Sequence, residues 1–359
     1  MSATDAAAIV VRGAIGARTF PAATVEVGHS GGPLWRDAFG TLTFDERAPG
    51  ATFETVFDLA SLTKPMATTS VVMDLVRTGR LGLRDTVASM FEEWRGQDRE
   101  HVTIRDLLEH ASGLPARLVD PPGETRREFE HDICTIRLEC APRTKCIYSD
   151  LGFILLAFAA ADRGRASLSE QFDTLWHRLE PDARTPPRDE LLCFHVAAAD
   201  RRRVAPTLPL DEDRRRGTVL VGDVHDNYAA ALGGVAGHAG LFGNAAAVGA
   251  FARAWLRAAR GDGAASPFTP SLVAEFLTKS AVRGSSRALG WDRMLPSSSC
   301  GTRMSASAFG HVGFTGTSLW IDPGRDRYFV LLTNRVCGGG SVDEMRDVRR
   351  AFHDALGDV

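Results

Sequence analysis

The chain has 359 residues, 44% of them hydrophobic and 24% charged, with a formal net charge of −3 at pH 7 and a pI near 6.4. That length buries a sizeable core in one large or two medium domains, and so even a charge balance gives no argument for a nucleic-acid partner. No apolar stretch approaches the length of a bilayer span, and the first 20 residues lack a basic start followed by an apolar run and a cleavage site, so a cytoplasmic protein with no membrane partner is expected.

Residues 5–16 predict a short amphipathic helix. FPAATVEVGHSGGPLWRDAFGTLTF follows, alternating β-formers around His29-Ser30-Gly31-Gly32-Pro33, the pattern of a hairpin. Residues 54–60 lead into FDLASLTKPMATTSVVMDLVRTG, a predicted helix beginning at Ser61 with Val71, Val72, Leu75 and Val76 as its buried face. Helix signals then dominate to about residue 285, with Thr103 to His110 ended by Gly113 and Pro115, and Ser149 to Arg163 ended by Gly164. Residues 115–147 and 181–224, rich in Pro, Arg and Asp, read as loops; the arginine runs at 201–203 and 214–216 sit among acids and read as solvated. Strand character returns at Ala308 to Phe314, Ser318 to Asp322 and Tyr328 to Asn334, with Asp322-Pro323-Gly324 as one turn, and Val342 to Leu356 closes the chain as a helix. The six cysteines form no C-x-x-C pair and read as reduced, mostly packing residues. Strands at both ends with helices between predict an α/β fold: an antiparallel sheet flanked by helices and built from both termini (1–70 and 286–359), with an inserted, mainly helical domain (71–285). A small-molecule cleft is expected between them.

The chemistry centres on Ser61-Leu62-Thr63-Lys64. Helical spacing puts residues three apart on one face, and Pro65 keeps the serine at a helix start, where free N–H groups favour developing negative charge. A serine hydroxyl needs a base, and a desolvated lysine, expected to titrate below a free one, fits that role. Tyr148, in Tyr148-Ser149-Asp150 just before a buried helix, can present its hydroxyl to the cleft as base or relay. In His311-Val312-Gly313-Phe314, Gly313 allows close approach to the backbone, and the Phe314 N–H pairs with that of Ser61 as an expected oxyanion hole. His311 is expected to touch a substrate carboxylate or the Ser61–Tyr148 network. The glycine-rich stretch 221–243 contains His225-Asp226 and Gly237-His238. Metal or acid–base chemistry comes to mind there, but the spacing matches no standard ligand pattern, so the stretch reads as a cleft wall, with no metal and no cofactor.

The ordered set S-L-T-K, Y-S-D and H-V-G resembles the serine β-lactamase and penicillin-binding-protein superfamily, and is similar to its class C β-lactamase and DD-peptidase branch. FDLASLTKPMATT, LLEHASGLP, YSDLGFILL, VHDNYAAALGGVAGHAGLF and FGHVGFTGTSLWIDP look like serine-hydrolase members of that branch across nearly the whole chain. The resemblance implies the β-lactamase/transpeptidase-like fold, Ser61 as the acylated nucleophile, and Lys64 and Tyr148 sharing the proton work. It places Asp150 where the family often has asparagine, to hydrogen-bond Lys64 or the substrate. Asp150, His311, Gly313 and His238 are the candidate substrate-binding residues. His311 stands where β-lactamases carry the lysine of K-T-G, and Val312 replaces the usual hydroxyl residue, which weakens the case for a dedicated β-lactamase. Arg335 is expected either to hold a carboxylate or to make a surface salt bridge. The expectation is a serine hydrolase of small carboxylic esters, acting on an ester, amide or lactam. The alternatives are a D-amino-acid peptidase or DD-carboxypeptidase, a β-lactamase, an acyltransferase, or a non-catalytic β-lactam-binding scaffold.

Overall fold

The computed structural model describes residues 1–118, 123–179, 190–262, 267–357 and 359. The stretch 181–189 of one expected loop and 119–122 of the other lie outside the described residues. The first helix, α1 (Ala3–Gly16), begins in a capping box in which Ser2 Oγ accepts the Asp5 N–H and the Asp5 carboxylate accepts the Ser2 N–H, each at 3.0 Å. β1 (Ala22–His29) and β2 (Gly32–Gly40) form the expected hairpin, and β3 (Phe57–Asp58) leads to the Ser61 region. Instead of one α-helix from Ser61, the chain makes a 3-10 turn at Ala60–Leu62, a π-helical stretch at Lys64–Thr69 and only then α2 (Ser70–Arg77). Pro65 explains part of this: it has no N–H for the α-helical ladder, so the turn widens around it.

The middle of the chain supplies α3 (Ile104–Leu108), α4 (Arg126–Thr135), α5 (Asp150–Gly164), α6 (Leu168–Leu179), β4 (Leu192–Cys193), α7 (Asn227–Ala231), β5 (Phe242–Gly243), α8 (Ala245–Ala259) and α9 (Pro270–Phe276). α4 falls where a loop was expected. Its start is a capping box, Thr125 with Glu128, and it buries Phe129, Ile133 and Cys134. β3, β5 and β4 form a small second sheet.

The C-terminal part adds β6 (Asp292–Arg293), β7 (Phe309–Val312), β8 (Ser318–Asp322), β9 (Arg327–Thr333) and α10 (Val342–Ala355). The main sheet runs β2-β1-β9-β8-β7-β6 with antiparallel neighbours, so the first strands of the chain pair with the last. β9 shows why. Phe329 and Leu331 point into the cluster with α1 and α10, while Tyr328, Val330 and Leu332 point into the larger core on the other face. A strand buried on both faces needs a continuous apolar run, which Tyr328 to Leu332 supplies. α8 covers that second face through Trp255 and an Arg253–Glu26–Tyr328 cluster, although it falls within 71–285. We keep the two-part division as a proposal with α8 on the sheet side. All six cysteines are unpaired, with Cys134 and Cys300 buried, and no described helix is long and apolar enough to cross a membrane.

Candidate active site

The turn that carries Ser61 is held from two sides. Asp58 Oδ1 accepts the Ala60 N–H at 2.8 Å and Oδ2 accepts the His225 N–H at 2.7 Å. Ala60 has φ of 47°, a left-handed conformation that costs a non-glycine residue about 1 kcal/mol or more. The Asp58 bond keeps it there and fixes how the serine is presented. Burial pushes the Asp58 carboxyl up to about 6, against the pull of its two backbone donors. Thr315 Oγ1 donates to the Asp58 carbonyl (2.7 Å) and Thr317 Oγ1 to the Leu59 carbonyl (3.0 Å), tying the β7–β8 turn to the same segment.

Lys64 is fully buried, and its ammonium faces three acceptors. Nζ donates to Ser61 Oγ at 3.0 Å and to the His238 carbonyl at 3.1 Å, and it forms an ion pair with Asp150 Oδ1 at 2.7 Å. Burial alone would lower its pKa, but the Asp150 carboxylate and Tyr148 outweigh burial and raise it above the ordinary value. The expected depressed lysine is therefore corrected: Lys64 rests charged, and toward Ser61 it is a donor. Asp150 responds in kind. Burial raises its pKa, Lys64 and His238 lower it more, and it ends below the ordinary carboxylate value.

Tyr148 sits just before α5, between two cations. Lys64 Nζ lies 4.8 Å from its ring centroid and the Arg287 guanidinium 5.0 Å. His110, a residue with no expected role, packs on the Tyr148 ring at 4.7 Å, and its Nδ1 accepts the Ser149 N–H at 3.0 Å. Burial, then the Arg287 and Lys64 charges, holds His110 well below the usual imidazole pKa, so it is a neutral acceptor.

His311 is likewise buried, with its ring 5.8 Å from that of Tyr148. Burial and the Arg287 and Lys64 charges hold its pKa well below 6.5, so it is neutral at pH 7. Its Nδ1 bonds the Val312 carbonyl at 2.9 Å, which assigns the proton to Nδ1 and leaves Nε2 as a bare acceptor with no partner. An acceptor does not attract a carboxylate. Arg335 is not the surface salt-bridge residue of the second expectation, and it lines the same cavity as Ser61. It is 7% exposed and makes no ion pair among the described residues. Its Nε (3.1 Å) and Nη2 (2.6 Å) donate to the Phe314 carbonyl and its Nη1 to the Gly340 carbonyl (2.6 Å).

A Cβ on Gly313 would meet Thr317 Oγ1 at 2.1 Å and the Leu59 carbonyl at 2.5 Å, so the chain's own packing on the Ser61 segment requires glycine here. The Phe314 N–H and the Ser61 N–H donate to no group among the described residues, and Phe314 and Ser61 line the same cavity. That cavity has two lobes meeting at Ser61, Tyr148 and Phe314. One, of about 280 Å³, includes Arg287, Asp292, His311 and Arg349; the other, of about 560 Å³, includes Arg117, Asp150, Leu210 and Tyr228.

The second lobe's floor is an ion network. Arg117 Nη1 reaches Asp150 Oδ2 (3.1 Å) and Asp226 Oδ2 (2.9 Å), while His238 Nε2 meets Asp226 Oδ1 at 2.7 Å. Asp150, Asp226 and His238 converge closely enough to hold a cation. Lys64 and Arg117 already supply their positive charge, so the donor set is neutralised without a metal. His225 does not join it; its ring stacks 5.6 Å from Phe314. Arg117 and Arg287 escaped the sequence reading because isolated arginines in loops carry no spacing signal. Gly28 to Gly32 spells the G-x-S-x-G spacing of a nucleophile elbow, but Ser30 is in the hairpin turn with its Oγ donating to Asp326 at 3.0 Å.

Residues 8–353 match the family model described as Beta-lactamase. The chain is 30% identical over 317 residues to a protein of Salmonella gallinarum (strain 287/91 / NCTC 13346) provisionally named D-alanyl-D-alanine carboxypeptidase, covering 79% of this chain and 70% of that one. It is 29% identical over 304 residues to the N-acetylmuramyl-L-alanine amidase of Bacillus subtilis (strain 168), covering 78% and 68%. Among solved structures it is similar to a class C beta-lactamase from Rhodobacter sphaeroides (TM-score 0.76, 20% identity, 98% of each chain). It is also similar to EstCE1, described as a hydrolase with promiscuous acyltransferase activity (TM-score 0.75, 17% identity, 99% and 98%). At such identities the two structures speak for the fold.

Proposed function

The chain belongs to the Beta-lactamase family and is a serine hydrolase, and on that premise we propose that it cleaves small, uncharged carboxylic esters through an acyl-Ser61 intermediate. Ser61 Oγ attacks the ester carbonyl carbon, and its proton passes to Tyr148, which works as the phenolate beside the Lys64 ammonium and becomes the phenol. The carbonyl oxygen, now negative, lies between the N–H groups of Ser61 and Phe314. Lys64 remains an ammonium and, with Asp150 behind it, holds Ser61 Oγ and balances the charge. Collapse of the adduct breaks the C–O bond, and the leaving alkoxide takes the proton from Tyr148. Water then repeats the sequence on the acyl carbon and frees Ser61.

The observation that carries the choice of uncharged esters is the state of the two residues first considered as carboxylate anchors. His311 offers a neutral acceptor, and Arg335, although it lines the Ser61 lobe, already donates three of its N–H groups to the Phe314 and Gly340 carbonyls. A second reading rests on Arg287. It lines the Ser61 lobe and, among the described residues, has one distant acidic partner, Asp292 at 3.9 Å, so it favours an anionic substrate group. In that reading the substrate is a carboxylate-bearing amide, as the carboxypeptidase and amidase names of the two curated relatives suggest. Turnover of p-nitrophenyl butyrate, a D-alanyl dipeptide and a cephalosporin on one preparation separates the two. The account expects the ester to have the highest kcat/KM, with Arg287→Met leaving it within threefold. A dipeptide or cephalosporin that exceeds every ester, and loses its advantage in Arg287→Met, replaces the ester reading with the second.

A further inference from the structure

Arg349 lies on α10, and only 6% of it is exposed. Among the described residues it has no acidic partner. Its Nη2 donates to the Gly313 carbonyl at 2.7 Å and to the Thr317 carbonyl at 2.9 Å, and its buried Nε has no partner. A guanidinium buried against carbonyls alone is a costly arrangement for stability, so its benefit should be sought elsewhere.

The Gly313 carbonyl belongs to the same peptide unit as the Phe314 N–H. In a trans peptide these two groups point in opposite directions, and the chain has no cis peptide bond among the described residues. Drawing the carbonyl toward α10 therefore turns the N–H away from it. A positive charge at the amide oxygen also polarises the unit and makes its N–H a stronger donor. The turn is closed around this point: the Gly313 N–H donates to the Thr317 carbonyl at 2.8 Å, and the Gly316 N–H to the Gly313 carbonyl at 3.1 Å.

We propose that Arg349 is a positioning residue for the oxyanion hole, orienting and polarising the Gly313–Phe314 peptide so that the Phe314 N–H meets the developing oxyanion. The inference rests on the Ser61 and Phe314 reading given above. Burial and then the neighbouring Arg335 pull the Arg349 pKa down to about 9, which still leaves it charged at neutral pH. Arg349 acts through the peptide and touches no reacting atom.

The test uses Arg349→Met, Arg349→Lys and, as a control on the same helix, Arg350→Ala. Three quantities are read: the second-order rate of Ser61 modification by a fluorophosphonate, kcat and KM for a p-nitrophenyl ester, and the infrared carbonyl stretch of a slow acyl-enzyme. Losing one oxyanion donor costs about 10²–10³ in rate, and a donor misaligned rather than lost should cost roughly tenfold to a hundredfold. Arg349→Met is expected to lower kcat and the labelling rate by that factor with KM within threefold, and to move the acyl carbonyl stretch to higher wavenumber. Arg349→Lys should recover part of both, and Arg350→Ala should match the parent. A rate loss with the carbonyl stretch unmoved overturns the proposal and leaves a merely structural arginine; unchanged rates in a folded Arg349→Met do the same. If the methionine variant does not fold, the lysine variant decides by the same stretch. Labelling does not depend on the natural acyl group. A parent protein that labels at Ser61 but hydrolyses no ester would sink the substrate reading alone.

Discussion

At the scale of single residues, the main correction concerns Lys64. Its position in S-x-x-K was legible because spacing of three brings side chains together on any helical turn, and Nζ is indeed 3.0 Å from Ser61 Oγ. Its charge was not legible. Desolvation argues for a neutral amine, and only the folded chain brings Asp150 to 2.7 Å to reverse that. The neutrality of His311 follows from burial beside two cations, which the sequence also hides. Asp150 is therefore the residue whose change is most informative. Asp150→Asn keeps the shape and removes the charge that raises the Lys64 pKa, so Lys64 loses its proton at lower pH. If catalysis uses the ammonium, the alkaline limb of the kcat/KM profile moves to lower pH in the variant. An acid limb that moves down while the alkaline limb stays would mean that the neutral amine is the working form.

At the scale of elements, the β1–β2 hairpin could be read from alternating β-formers around its turn, β7 to β9 from short apolar β-rich runs separated by turns, and α10 from its helical period. α4 was missed although Thr125-x-x-Glu128 marks its start, because its Arg and Glu content resembles a solvated loop. The π-helical stretch after Ser61 was not legible: no residue type specifies i to i+5 bonding, and the wide turn is set by Pro65 together with the packing around it. One loop is rigid for a reason that can be tested. A Cβ on Gly237 would lie 1.9 Å from the Phe153 carbonyl on α5, and helix backbone cannot yield. The loop would have to move, taking the Gly237 carbonyl from Thr68 Oγ1 (2.7 Å) and the His238 carbonyl from Lys64. Gly237→Ala should cost about 1–3 kcal/mol of stability, as overpacking does, and at least tenfold in ester hydrolysis. Parent-like melting and turnover would show that the loop is looser than this packing requires.

At the scale of the whole molecule, the sheet joins the two ends of the chain, and α1 and α10 close one face over a cluster that includes Phe352. His353 is buried next to it and held near pKa 3 by burial and then by Arg349. The sign follows from proton counting. Between about pH 6.5 and 3 the unfolded chain binds a proton at this position that the folded one refuses, so stability falls as pH falls. His110 and His311 add in the same direction. The His353 share is on the order of 3 kcal/mol by pH 4. Denaturant unfolding between pH 7 and 4 should show this slope, and His353→Leu should flatten it; an equal slope in the variant would exclude His353 as a source. The fold unites these parts around one reacting atom, and that atom is the most direct thing to measure. The protein is treated with a fluorophosphonate, digested, and the modified peptide is sequenced by mass spectrometry, with Ser61→Ala treated in parallel. The account predicts one adduct, on Ser61, absent from the alanine variant together with ester hydrolysis. An adduct on another serine, or hydrolysis that survives in Ser61→Ala, would contradict it.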